Sequence, residues 1–509
     1  MIVWKAPVLD AEIRTGGQDG RTFAESEPYW PEPVRPPKYA PNIVVIFLDD
    51  LGFAEMGCFG SEIETPNIDK LAANGLIFNN YTTGPMCAPA RAAIMTGKNP
   101  HSVGVGWLTH ANPGYPGFQA GEISKDAPTF PELLREVGYS TYAVGKWHNA
   151  ADYNVSAASD KSSWPLRRGF YRFYGFLGAE TNYHAPGQIV EGNELVPTSA
   201  YDEGYYSTDD FTDRAISMLK AHKSAAPDKP FLMYFATNAP HTPHHAKPAD
   251  IVKYKGRYDA GWDTIHRERD ARQKKMGVIG ALGAVNTSPA CPMGWGNAGN
   301  APFRFFKRTP INGGIRVPMV AHWPARIADK GAVRGEWVHV TGVMPMLLEL
   351  LGLDYRRQFN GYRTCTLNGV SFLDILLDRG AKTKRSEQYY ELEGNRGYIS
   401  GKWKIASLQP PGEKINLDNW LLFDIDADPT ETTNLAAKHP DILKDLIERF
   451  DQDAFENYAY PLDNRTLARA LTHDPHRIKD ANRPYIFIRA PKACRPFRPR
   501  PSLPTAITN

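Results

Sequence analysis

Five cysteines are few for a chain of 509 residues. Cys58, Cys87, Cys291, Cys365 and Cys494 contain no Cys-x-x-Cys pair, which excludes a disulfide framework. Long apolar runs are also missing. No stretch approaches the ~20 residues of a membrane span, and MIVWKAPVLDAEIRTGG at the N-terminus has too short an apolar core for a signal peptide. Charge of one sign is missing as well. The chain has 59 Lys+Arg against 56 Asp+Glu, a formal net charge of +3. That balance argues against a nucleic-acid binder or a membrane-surface protein. These absences predict a cytoplasmic protein in which the sequons at Asn154, Asn286 and Asn464 go unused. Wholesale disorder is excluded in turn, because 42% hydrophobic and 23% charged residues are ordinary globular values. The length fits about two or three domains, or one large α/β domain with a smaller companion.

Proline and polar residues dominate up to residue 41, which reads as an extended arm or a loose tail. Residues 42–384 alternate strand and helix patterns. Asn42–Leu48 is a continuous apolar, β-branched run, the pattern of a strand buried on both faces, and it ends in Asp49-Asp50. Thr65-Pro66 opens a helix stopped by Gly75. Further helices are predicted near Pro131–Val137, Thr208–Ala221 and Thr341–Leu351, with strands at Tyr139–Val144, Phe231–Ala236 and Ile315–His322. β-α-β alternation predicts a mostly parallel sheet covered on both faces, with ligands outside the carboxyl ends of its strands. Three predicted strands deliver polar groups there: Asp49-Asp50, Lys146 with His148, and His241. From about 385 to 455 short β-like runs and one helix predict a small antiparallel subdomain. Residues 456–509 form a Pro-rich basic tail, with eight Lys or Arg against one acid between Arg477 and Arg500. Such a tail is either solvated or a contact for RNA or an anionic surface.

Each polar group has a plain reading beside a chemical one. Asp49-Asp50 is a solvated pair, or oxygen donors for a hard divalent cation. Cys87 is a buried inert thiol, or a thiol activated by a helix N-terminus and by Arg91 four residues on. His148 after Trp147 suits a structural histidine, and Lys307 among aromatics suits a snorkelling side chain. His241, His244 and His245 suggest zinc, but Pro243 breaks the helical face such a site uses. Gly294–Gly299 matches G-x-G-x-x-G without a preceding strand, and Pro302 obstructs a following helix.

CAPAR at Cys87–Arg91 fits C-x-P-x-R, and its surroundings resemble the sulfatase family. So do VVIFLDDLGF, TPNIDKLAANGLIFNNYTT, YAVGKWH, APHTPHHA, NAPFRFFK, INGGIRVPMVAHWPA and FDIDADPTETTNLA. The resemblance runs in order over about residues 40–450. It implies an alkaline-phosphatase-like α/β sandwich with a large mostly parallel sheet and a small C-terminal antiparallel sheet. It implies a sulfuric ester hydrolase acting on an aryl, alkyl or carbohydrate sulfate. Carried over by position, Cys87 is the precursor of formylglycine, made by a formylglycine-generating enzyme. Asp49 and Asp50, with residue 87, hold one Ca2+. Arg91 holds the hydrate. Lys146, His148 and Lys307 surround the sulfate, His148 serving as base. His241 with Lys307 assists the leaving group. Related enzymes with this layout cleave phosphonates or phosphodiesters.

One family feature is missing from this chain. A helix and a strand ending in an Asp-Asn-Gly motif are expected near 276–296, and that motif is not in the sequence. The loss predicts a metal sphere short of two donors, approached at best by Asn297 or Asn300. It also predicts neighbouring strands with unpaired backbone, and it leaves open a sulfatase-like protein without turnover.

Overall fold

The apolar run after Pro41 forms β1 (Ile43–Phe47), and the chain then alternates between helix and strand. In order come α1 (Pro66–Ala73), β2 (Leu76–Thr82), α2 (Cys87–Thr96), α3 (Phe130–Glu136), β3 (Ser140–Lys146), β4 (Arg172–Phe176), β5 (Ile189–Glu191), β6 (Glu194–Val196), α4 (Ser207–Ala225) and β7 (Phe231–Ala236). There follow α5 (Pro248–Lys253), α6 (Trp262–Met276), α7 (Met293–Gly299), α8 (Asn312–Ile315), β8 (Arg316–Ala321), β9 (Ala332–Arg334), β10 (Val338–His339) and α9 (Val343–Leu350). The computed structural model describes residues 17–465, apart from 19, 31, 33, 120, 198–200, 280–292, 360 and 365.

The main sheet has the order β1-β7-β3-β4-β5-β6. β1, β7, β3 and β4 run parallel, and the β5–β6 hairpin closes one side antiparallel. All seven residues of β3 are buried, so helices cover both of its faces. On one face Phe211, Ala215 and Met218 of α4 pack against Tyr142, Val144, Tyr174 and Met233. On the other, α2 and α3 contribute Ala88, Ala92, Met95, Phe130 and Leu134 to the largest apolar cluster. A capping box fixes the start of α3, with Thr129 and Glu132 bonding each other's backbone. At α1, Thr65 stands at the N-cap position but its hydroxyl is used elsewhere, accepting from the Gly57 N–H and donating to Asp69.

β2, β8, β9 and β10 form a second, separate sheet. The expectation that β1 is buried on both faces is corrected here. Val44 and Ile46 are each 53% exposed, and among the described residues β1 pairs with β7 alone. The cause is local: no described strand lies beyond β1, and α4 does not reach over it. The predicted gap near 276–296 falls partly outside the described residues.

After the short pair β11 (Gln358–Phe359) and β12 (Tyr362–Arg363) and the helix α10 (Leu373–Leu377), the chain builds a four-stranded antiparallel sheet. Its strands are β13 (Glu387–Leu392), β14 (Asn395–Ser400), β15 (Trp403–Ser407) and β16 (Leu421–Asp424), and α11 (Pro440–Glu456) packs on it through Leu446 and Phe450. A fully buried ion pair ties this sheet to α8. Lys404 Nζ lies 2.7 Å from Glu431 and donates to Asn312 Oδ1 at 2.9 Å. Removing either charge leaves the other uncompensated in an apolar setting, a loss of roughly 3–5 kcal/mol.

The carboxyl ends of β7, β3 and β4 come unusually close together. Gly145 (φ +102°) has its missing Cβ position 2.0 Å from the Ala236 carbonyl oxygen, so no side chain fits there. Gly145→Ala is therefore expected to cost at least about 1–3 kcal/mol of unfolding free energy. Urea unfolding checks it; an unchanged midpoint contradicts the close packing of these strand ends.

Candidate active site

Three strand ends and one helix start build the site. β1 runs into Asp49 and Asp50, β3 ends on Lys146 and leads to His148, β7 leads to His241, and α2 begins at Cys87. This parallel arrangement puts residues far apart in sequence on one rim. Lys307 reaches the same place from the loop between α7 and α8.

Charge pairing organises the centre. Asp49 is buried, with Lys146 Nζ at 2.5 Å and Arg91 Nη2 at 3.6 Å from its Oδ2. Burial alone would raise the Asp49 pKa, but the Arg91 and Lys146 charges outweigh it and hold the carboxyl below its ordinary value. Asp50 Oδ2 lies 2.7 Å from Lys307 Nζ and 3.5 Å from His241 Nε2. Arg91 is fully buried, donates to the Lys146 carbonyl at 2.9 Å and stands over the Phe47 ring. Its Nε and Nη2 have no hydrogen-bond acceptor.

Cys87, the first residue of α2, is buried among Met86, Trp107, Phe118 and Leu392. Burial pushes its thiol pKa up. The Lys146 charge, a hydrogen bond from His241 and the Lys307 charge pull harder, and the net shift is down. The same contacts act on their partners in the opposite sense. Burial lowers the His241 pKa, but its bond to Cys87 and the Asp50 charge raise it overall. Lys307 is likewise raised, the Cys87 and Asp50 charges exceeding the effect of burial.

His148 is the outlier. It is wholly buried, its backbone is left-handed (φ 53°), and among the described residues neither ring nitrogen has a hydrogen-bond partner. Burial, followed by the Lys146 and Arg91 charges, holds its pKa well below the ordinary histidine value. A neutral imidazole with two unmet ring nitrogens, beside three cations, is a place for an anion bearing hydrogen-bonding oxygens. Asp50 is left-handed too (φ 60°); such strain collects at functional sites.

All the predicted residues thus meet: Asp49, Asp50, Cys87, Arg91, Lys146, His148, His241 and Lys307. Others were not singled out from the sequence. Tyr234 contacts Arg91 through its hydroxyl at 3.5 Å, and it is the polar tip in the otherwise apolar β7. Asn149 donates to the Ala88 carbonyl at 3.3 Å, and Tyr183 donates to the carbonyls of Asn238 and His241, fixing the turn that carries His241. Trp107 donates to Glu393, at the tip of the β13–β14 hairpin, which also pairs with Arg308. Nothing in the spacing of these residues marks them, because the fold alone joins them.

The discounted motifs resolve geometrically. Gly294–Gly299 lies inside α7, where Gly299 abuts Gly52 and its carbonyl accepts the Ala54 N–H. His244 Nδ1 lies 3.2 Å from the Pro240 carbonyl, and His245 Nδ1 accepts the Tyr183 N–H. Asn300 Oδ1 accepts the Phe53 N–H and so is committed to the loop behind Asp50, while Asn297 Oδ1 is buried without a partner. Among the described residues no three His, Cys, Asp or Glu side chains are arranged to hold a metal. No described helix is long and apolar enough to cross a membrane.

A thiol at a helix start, with cations and carboxylates gathered at the carboxyl ends of parallel strands, defines an α/β protein with a candidate ligand site on that rim. The comparisons sharpen this. A sulfatase family model matches residues 41–288. Arylsulfatase J of Mus musculus is 31% identical over 484 residues, covering 83% of this chain and 77% of that protein. N-acetylgalactosamine-6-sulfatase of Canis lupus familiaris is 30% identical, covering 72% of this chain and 71% of that protein. The crystal structure of Ps i-CgsB shares the fold, with a TM-score of 0.65 at 24% identity, covering 86% of this chain and 99% of that one. The chain belongs to the sulfatase family, and its fold is the alkaline-phosphatase-like one of its structural neighbours.

Two outcomes are expected of the site. With residue 87 a free cysteine, its alkylation midpoint falls below the ~8.5 of an ordinary thiol, and Lys146→Met raises it. Cys58, whose pKa burial and Asp69 push up to about 12, stays unreactive. Peptide-resolved mass spectrometry reads both, and a Cys87 midpoint indifferent to Lys146→Met contradicts the geometry. The second concerns stability. His148 binds its proton less readily folded than unfolded, so its contribution is present above the unfolded pKa of about 6.5 and is lost as pH falls below it. Unfolding free energy should fall below about pH 6.5, with up to about 1.4 kcal/mol per pH unit from this group. His148→Asn should flatten that slope, as read by urea titrations at several pH values.

Proposed function

We propose that the chain hydrolyses a sulfate monoester, with residue 87 as the seat of the nucleophile. The observation that carries this reading is the fully buried His148 ring, unpartnered among the described residues, beside the charges of Lys146 and Arg91. The relatives act, by their names, on aryl sulfates and on N-acetylgalactosamine-6-sulfate, so the substrate class is an aryl or carbohydrate sulfate.

Formylglycine fits position 87. The residue opens a helix, its side chain takes a hydrogen bond from His241, and the buried Arg91 Nε has no acceptor among the described residues. Made from Cys87 by a formylglycine-generating enzyme, it supplies an aldehyde whose hydrate is a hydroxyl nucleophile. The chain's own residues do the rest. Lys146 and Lys307 match the charge of the sulfate oxygens. Trp107, Phe118 and Leu392 limit water around residue 87. His148, held neutral, accepts a proton. His241, held charged to higher pH and fixed through Nδ1 to the Thr242 carbonyl at 2.7 Å, aims Nε2 into the site and donates to the departing oxygen.

Ca2+ is a poorer fit. Asp49 and Asp50 were the expected ligands with residue 87, yet each carboxylate has one oxygen held by a lysine. His241 lies beside them, but among the described residues no three His, Cys, Asp or Glu side chains are arranged to hold a metal, against the six to eight oxygens calcium takes. No step is derived through it. The same lysine pairing favours a second reading, a protein that binds sulfate esters without turning them over.

The test is sulfate release by the full chain co-expressed with a formylglycine-generating enzyme, on aryl and sugar sulfates, with phosphate mono- and diesters in parallel. Release abolished by Cys87→Ala, a loss of at least about 10³-fold, is expected. No release from any sulfate, with sulfate esters still bound, favours the second reading. Faster cleavage of phosphodiesters than of sulfates assigns the site to phosphoryl chemistry.

A further inference from the structure

β1 presents an edge that its sequence does not suit. Every residue of Ile43–Phe47 is β-branched or aromatic, yet Val44 and Ile46 are each 53% exposed. Their register partners on β7, Met233 and Phe235, pack into the cluster under α4. The apolar cover therefore stops one strand short of the sheet's end. In a parallel ladder a strand's successive residues bond to alternate sides, so half of the β1 backbone groups point away from β7. Among the described residues no strand meets them. Among the described residues β8 pairs with β2 alone, which makes it a second open edge, and its Val317 and Met319 share an apolar cluster with Val45 and Phe47. Long, flat, apolar edges template strand addition, and folded proteins pair or cover them.

We propose that Tyr485–Ile488 of the C-terminal segment of this same chain adds as a strand to the free edge of β1. Three observations select that occupant. Beyond Arg465, Tyr485-Ile486-Phe487-Ile488 is a run of four consecutive aromatic or β-branched residues, set between Pro484 and Pro491 and close to β1 in length. Pro484 precedes the run, where a missing N–H costs no ladder bond, and Arg483 and Arg489 flank it as charged stops against further pairing. Reach is ample. The described chain is anchored by Asn464, whose amide donates to the Pro410 and Glu413 carbonyls. Residues 466–484 extend up to about 60 Å at ~3.3 Å each, against a radius of gyration of about 22 Å for a domain of this size. Tethering gives the segment an effective concentration near millimolar, which a second copy does not match at ordinary protein concentrations. The contact has the physics of strand addition: main-chain bonds give the affinity, and Val44 and Ile46 acquire apolar neighbours on their own face.

Two measurements on the full chain test it. A photo-crosslinking benzoylphenylalanine at position 46, an exposed site outside the catalytic residues, should capture the peptide containing Tyr485–Ile488 within one chain. Capture of any other peptide, or of a second chain, overturns the proposal. In hydrogen exchange, Phe487→Pro, which removes a ladder donor, should speed exchange in peptides covering 43–47 by about tenfold, the factor of one net hydrogen bond. Ile507→Pro should leave it unchanged. Equal exchange in both variants and the parent overturns it, as does protection at 43–47 that rises with protein concentration.

Discussion

The Asp49 carboxylate, lodged between Lys146 and Arg91, is the constraint on which the site depends. Three charges are buried within one turn of three separate elements, and each is tolerable only because the others are there. Asp49 fixes where β1 ends relative to β3. Arg91, bonded to the Lys146 carbonyl, fixes where α2 starts relative to both. Cys87 inherits its position from that lock and its lowered pKa from the same Lys146 charge. Stability and reactivity at residue 87 are thus set by one set of ion pairs. The close approach at Gly145 is what allows β3 to deliver Lys146 so near β7 and its following turn.

Most of this was legible in the sequence because it is local. The runs at 42–48, 139–144 and 231–236 mark strands by composition. Polar residues at their carboxyl ends mark a ligand edge by topology alone. The Pro and Gly punctuation after 385 marks the antiparallel sheet, whose strands fall within a few residues of the expected ones. Tyr234, Asn149, Tyr183 and Glu393 were not legible, since each acts through a contact between segments distant in sequence. Val44 and Ile46 misled for the same reason. A β-branched run signals a strand fit for burial, but what covers it lies elsewhere in the chain.

Among the described residues β1 has an open edge, and Asp49 and Asp50 are each paired with a lysine. The motif expected near 276–296 would bring both a neighbouring strand and further oxygen donors. Among the described residues β1 ends the sheet, and Asp49 and Asp50 are paired with Lys146, Arg91, Lys307 and His241. Among the described residues both His148 ring nitrogens and Arg91 Nε are buried without a hydrogen-bond partner.

The central claim is that His148, Lys146 and Lys307 converge on a sulfate above residue 87. A crystal structure of the full chain grown with a sulfate ester or inorganic sulfate tests it most directly. The account predicts sulfate oxygens within hydrogen-bond distance of the His148 ring and both lysines, next to residue 87. Sulfate bound elsewhere, with the His148 nitrogens still facing no partner, would contradict it.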